Sequence, residues 1–99
     1  LELTSMNVFF RFANDLVTPD LHSAGVAGVA RQWCLQRAAS HGLTCRQQNI
    51  SLSRLREADE VFACNSVAGI LPIRKLGLWQ WPVGNMALSL QAEFDQLFA

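Results

Sequence analysis

The sequence predicts a mixed α/β (α+β) domain, a small sheet with packed helices, and three stretches carry that prediction. Residues 60–73 read as two short apolar runs, Val61 to Cys64 and Ile70 to Ile73, broken by Asn65 and Ser66. Val, Phe and Ile with few charges suit buried strands. Asn and Ser at the break suit a turn, because their side chains bond the nearby backbone. Residues 6–12 alternate, with Val8, Phe10 and Phe12 on one face and Asn7, Phe9 and Arg11 on the other, the pattern of a strand with one strongly apolar side. Between these stretches, Ala27, Ala30, Cys34 and Ala38 recur at helical spacing. Strands and helices that alternate along 99 residues argue for one α/β or α+β domain.

In chain order, Ala13-Asn14-Asp15 turns the first strand into a short returning one, Leu16-Val17-Thr18, and Pro19-Asp20 ends the hairpin. The helix is entered through Ser23-Ala24-Gly25-Val26-Ala27-Gly28 and runs to about His41, where Gly42 stops it. Val26, Val29 and Trp33 flank its small-residue stripe, and Arg31, Gln32, Gln36 and Arg37 are largely opposite. The small residues let the helix lie close to a sheet. Its leading glycines serve the same packing, or leave backbone N–H groups open to an anion. Residues 43–48 form a weak strand, and Ser51 is expected to cap a short helix ending near Ala58. Pro72 lacks an N–H, which places its run at a sheet edge or beside a bulge. A turn over residues 74–77 leads to Leu78-Trp79-Gln80-Trp81. Asn85 then caps a last helix with Ala87, Leu90, Phe94 and Leu97 on one face.

Composition narrows the function. A chain of this size buries roughly 65% of its unfolded surface, and with 51% hydrophobic and 16% charged residues it is rich in apolar surface. The surplus is expected to meet another domain or subunit. Eight basic and eight acidic residues cancel without a basic cluster, which argues against nucleic acid as a partner. Cys34, Cys45 and Cys64 are widely spaced, with neither His22 nor His41 at metal-ligand spacing. Small buried thiols in a reduced, cytoplasmic setting are the expectation. No apolar run approaches the ~20 residues that span a bilayer, so no membrane role is expected. The chain opens at Leu1 without a methionine, within an expected strand, and is expected to be part of a longer protein.

No Ser-His-Asp or Cys-His constellation is visible, and His22 and His41 are expected at the surface. Arg31 is expected to be an ion-pair partner on the open face of its helix. Three features suit one ligand: a carboxylate at Glu2, a glycine-led helix start at Gly28-Val29-Ala30, and the strand-end pair Asn65-Ser66. Helix N–H groups with a serine hydroxyl can bind phosphate, and a carboxylate can pair with a protonated ring nitrogen. Pyridoxal phosphate needs both kinds of contact.

The order of these features resembles the C-terminal part of the fold-type IV pyridoxal-phosphate enzymes, which include branched-chain and D-amino-acid aminotransferases and aminodeoxychorismate lyase. The matching positions are Glu2 with Asn7-Val8-Phe9, then Gly28-Val29-Ala30-Arg31. Ala58-Asp59-Glu60-Val61 follows, then Asn65-Ser66 and Leu71-Pro72-Ile73. The resemblance spans nearly the whole chain and implies the larger, cofactor-binding domain over residues 1–99, a small sheet or pseudo-barrel with helices. Within the group, Ala24-Gly25-Val26 with Gly28, Arg31-Gln32 with Cys34, and Cys64-Asn65 lean toward the lyase. Aminotransferases usually carry Pro before the helix-start Gly and Gly-Thr at the turn.

The resemblance implies that the cofactor is pyridoxal 5'-phosphate and assigns a role to each matching residue. Glu2 would keep the pyridine nitrogen protonated, Val26 would pack on the ring, and Gly28 would shape the helix start. Val29 and Ala30 would give backbone N–H groups to the phosphate, with Ser66 adding its hydroxyl and N–H. Asn65 and Val67 would face a small-molecule substrate. It also implies a homodimer. The family's Schiff-base lysine precedes the Glu motif and has no counterpart here, the only lysine being Lys75. The family's N-terminal domain is likewise unmatched, so this chain alone is expected to be inactive. The alternatives are an aminotransferase of the same fold, or a non-catalytic remnant or binding domain.

Overall fold

The computed structural model describes residues 6–19, 29–65 and 68–97. Its centre is a five-stranded sheet in the order β3-β2-β1-β4-β5. Strands β1 (Asn7–Phe12), β4 (Glu60–Asn65) and β5 (Gly69–Ile73) are antiparallel neighbours, and β2 (Asp15–Thr18) returns antiparallel beside β1. Strand β3 (Thr44–Gln47) lies parallel to β2. Two parallel neighbours need a long crossover, and helix α1 (Val29–Ser40) lies in it. Helix α2 (Leu52–Leu55) is a single turn, β6 (Lys75–Leu76) and β7 (Trp79–Gln80) make a small hairpin, and α3 (Asn85–Leu97) closes the described chain.

The alternation in β1 is as read, but the helices cover the other face. Phe9, not the Val8/Phe10/Phe12 set, points into the main core with Leu16, Phe62, Cys64 and Ile70, under Ala30, Cys34 and Ala38 of α1 and Ala87, Leu90 and Phe94 of α3. Phe9 stacks on Phe62 with ring centroids 5.1 Å apart, and Trp33 meets Phe94 edge-on at 5.2 Å. Phe10, Val61, Ala58 and Trp81 form a second, thinner cluster on the opposite face, with Val8, Phe12 and Ile73 only partly covered. There an apolar groove of about 390 Å³ runs between Met6, Val8, Ala63, Ile73 and Leu76.

Three local expectations give way to tertiary contacts. Ser51 stands at the α2 N-cap but its hydroxyl meets Ser53 Oγ at 3.3 Å instead of capping a backbone N–H, and the helix stops at Leu55 rather than near Ala58. Leu97 is 60% exposed, although Ala87, Leu90 and Phe94 of the same helical stripe are buried. The expected turn over residues 74–77 includes the strand pair Lys75↔Gln80, bent at Gly77 with a φ of 62°. Pro72 sits in β5, an edge strand of the sheet, where a missing N–H is tolerated.

Candidate cofactor site and the two helix starts

Arg11 and Glu60 are direct partners across β1 and β4, on the face the helices cover. Glu60 is fully buried. A carboxylate there must be both paired and hydrogen-bonded to be tolerated. Arg11 Nε donates to Glu60 Oε2, and the backbone N–H groups of Met86 and Ala87 donate to Oε2 at 3.2 Å and Oε1 at 2.9 Å. Glu60 therefore satisfies the start of α3, a place where orphan N–H groups and the helix dipole favour negative charge. Asn85, expected to be the cap, is the first helical residue instead. The Gly84 carbonyl accepts from Leu88, and a Cβ on Gly84 would fall 2.1 Å from the Glu60 carboxyl carbon. Glu60 was legible in the sequence only as part of a motif. Its parity with Phe62 and Cys64, and that of Arg11 with Phe9, was the available signal for a buried pair.

The start of α1 is arranged differently. It has no acidic residue in its first turn. Val29 is 75% exposed and Ala30 is buried, and Arg31, expected on the open face, is only 2% exposed. The Nε and Nη2 atoms of Arg31 are buried with no hydrogen-bond partner among the described residues. The helix lies on the far end of β4. Cys34 forms a thiol hydrogen bond with Cys64, which together with burial pushes the Cys34 thiol up. The same hydrogen bond lowers Cys64, against the effect of burial, and the Arg31 charge acts in the lowering direction too. The start of α1 and the end of β4 are thus brought to one end of the sheet.

Asn65 ends β4, where its Oδ1 accepts from the Ala68 N–H at 2.9 Å and shapes the turn into β5. Gly69 completes the turn with a φ of 82°. Of the site residues inferred from the sequence, Val29, Ala30 and Asn65 are placed here. Glu2, Val26, Gly28, Ser66 and Val67 lie outside the described residues. Lys75 is exposed, two residues past Ile73, which pairs with Val61 at the opposite end of β4 from Asn65. Among the described residues, no group of His, Cys, Asp and Glu could hold a metal ion, and no helix is long and apolar enough to cross a membrane.

A helix start without acidic residues and a buried guanidinium with open donors fit the phosphate half of pyridoxal phosphate. Electropositive groups that no part of the described chain neutralises call for an anion.

This sheet with its two helices on one face is the architecture of fold-type IV enzymes. Residues 1–76 match the amino-transferase class IV family, and the chain belongs to it. Members of that family use pyridoxal phosphate. Among solved structures, the chain is similar to the 4-amino-4-deoxychorismate lyase of Pseudomonas aeruginosa, with 41% identity and a TM-score of 0.85 over 92% of this chain and 34% of that one. It is also similar to the branched-chain amino acid aminotransferase of Escherichia coli, with 30% identity and a TM-score of 0.79 over 96% of this chain and 33% of that one. The aminodeoxychorismate lyase of Vibrio harveyi is 31% identical over 99 residues, which are 96% of this chain and 36% of that protein. The chain thus spans about a third of the length of these relatives.

Proposed function

We propose that this chain forms the cofactor-binding part of an aminodeoxychorismate lyase, which converts 4-amino-4-deoxychorismate to 4-aminobenzoate and pyruvate for folate synthesis. The observation that carries this reading is the 41% identity with the Pseudomonas aeruginosa lyase, against 30% with the Escherichia coli branched-chain aminotransferase. The turn supports it, since Asn65-Ser66 stands where aminotransferases usually place Gly-Thr.

Pyridoxal phosphate, when bound, supplies the electron sink for cleavage. The chain's own residues bind and orient it. Val29 and Ala30 direct N–H groups to the phosphate, and Ser66 adds its hydroxyl. Glu2 holds a proton at the pyridine nitrogen, and Val26 packs against the ring. Asn65 and Val67 border the substrate, with a larger polar group beside the ring than Gly-Thr would give. The proposal includes a cytoplasmic homodimer, in which the apolar groove and the exposed Leu76 and Leu78 are available to a neighbouring domain or subunit.

The test is made on the full-length parent. Production of 4-aminobenzoate and pyruvate, with slow or no amino transfer from branched-chain or D-amino acids to 2-oxoglutarate, is the expected outcome. Efficient transamination without turnover of aminodeoxychorismate would move the protein to the aminotransferase branch of the same family.

A further inference from the structure

Each other arginine for which the structure records a side-chain contact has a partner. Arg11 meets Glu60 and Asp59, Arg37 meets Glu93, Arg46 approaches Asp15, and Arg54 lies over the Phe12 ring. Arg31 is buried with its Nε and Nη2 unpartnered among the described residues, and it is the most buried arginine there. A buried guanidinium that keeps its charge needs hydrogen-bonding partners to offset its desolvation.

The two unpartnered nitrogens are Nε and Nη2, the adjacent donors along one edge of the guanidinium plane. That edge offers two parallel N–H bonds to a carboxylate or phosphate. Arg31 is the third residue of α1. Long side chains on a helix slope toward its N-terminus, so this one is carried back over the first turn. Its charge is felt at Cys64, which adjoins Asn65 at the end of β4. The buried guanidinium thus belongs to the first turn of α1 and acts on the end of β4.

We propose that Arg31 is itself a phosphate-binding residue, giving its Nε–Nη2 edge to the anion that the start of α1 attracts. The inference rests on the phosphate reading of that helix start and adds a charged ligand to a site otherwise built from backbone N–H groups. A point charge on a flexible stem would not offer the same planar fork.

The experiment measures binding of inorganic phosphate, pyridoxal phosphate and phosphate-free pyridoxal to the intact protein by calorimetry, at low and moderate salt. Arg31→Gln should weaken both phosphate-bearing ligands about 150-fold, the lower end of the scale of two charge-assisted hydrogen bonds, and flatten the salt dependence. Pyridoxal binding should be unchanged. Arg31→Lys should stay folded by circular dichroism and recover part of the phosphate affinity. Should Arg31→Gln not fold, Arg31→Lys carries the test, with phosphate binding expected about tenfold weaker than in the natural protein. Phosphate affinity unchanged in either variant, an equal loss for phosphate-free pyridoxal, or no phosphate binding by the natural protein would overturn the assignment. Failure of the lyase assay with the Arg31-dependent phosphate affinity intact would overturn the proposed reaction alone.

Discussion

Helix α3 starts against the Glu60 carboxylate, whereas α1 starts with no acidic residue in its first turn and with Arg31 buried beside it. Both ends carry the same orphan N–H groups and the same partial positive charge. At α3 the chain brings its own anion from the first residue of β4, and Arg11 completes the neutralisation. At α1 the nearest charge among the described groups has the same sign as the helix end. The first arrangement closes a structural joint, and the second leaves a field that none of the described residues neutralises. On the proposed phosphate reading, the two helices packed on one sheet face divide the work between stability and binding.

The comparison breaks most visibly at Glu60. Glu60→Ala removes one partner of a buried pair and leaves Arg11 and two α3 N–H groups unsatisfied. It should cost about 3–5 kcal/mol in urea unfolding. A cost under ~1 kcal/mol would mean that water replaces the carboxylate easily and that the two helix starts differ less than their geometry implies. Gly84→Ala probes the same joint from the backbone. Its new methyl group would meet the Glu60 carboxyl group, so a loss of about 1–3 kcal/mol is expected. Stability equal to the natural protein would show that the joint has slack.

On the proposed phosphate reading, Ser66→Ala should leave unfolding nearly unchanged and weaken phosphate binding by about 1 kcal/mol, the scale of one hydrogen bond. A larger loss in stability than in binding would place Ser66 on the structural side of the comparison.

The smallest effect belongs to Glu93, which sits at the exposed seam between α1 and α3. It accepts from His41 Nε2 at 2.7 Å and from Arg37 Nε at 2.8 Å. The hydrogen bond from His41 holds its carboxyl below the ordinary value of 4.5 against desolvation, with Arg37 adding to the lowering. Folding therefore opposes protonation of Glu93. Its contribution is present above the unfolded pKa and fades as the pH falls through the lower folded one. Glu93→Gln should flatten the acid limb of the stability profile below about pH 4.5 and change little at pH 7. An unchanged acid limb would remove Glu93 from the account of how the helices meet.

What could be read in the sequence follows from the range of the forces involved. Strand alternation and the turn at Asn65-Ser66 are local, and β1, β2, β4 and β5 lie where the residues imply. Which face of β1 the helices cover is not local. Val8, Phe10 and Phe12 outnumber Phe9, yet Phe9 is the one that meets the α1 and α3 stripes. Arg31 flanks the Ala30–Cys34 stripe of its helix rather than opposing it, and a charge in that position is read as solvent-facing unless a reason for burial is known. The three sequence features of the site converge on a known family, but a motif does not state which charge is left unpaired. That becomes visible only once Arg11, Arg37, Arg46 and Arg54 have found their partners in three dimensions.

Gly69 has a further consequence for how the site is held. The φ of 82° is one that side chains rarely adopt, and a Cβ there would press on the Phe94 ring at 3.3 Å. Gln91 Nε2, one turn earlier in α3, donates to the Ile70 carbonyl at 2.9 Å. Helix α3 is therefore fastened to the sheet at two places, at its start to Glu60 and near its end to the β4–β5 turn. The span from Met86 to Asp95 is about 14 Å of helix, packed mainly against β5. The helix works as a gauge block whose length sets where the Asn65 turn stands. One residue added to or removed from α3 between these fastenings would rotate Phe94 by about 100° away from Gly69 while Glu60 still held the start. Length variation in this protein should then be tolerated in the β6–β7 hairpin and excluded from the middle of α3.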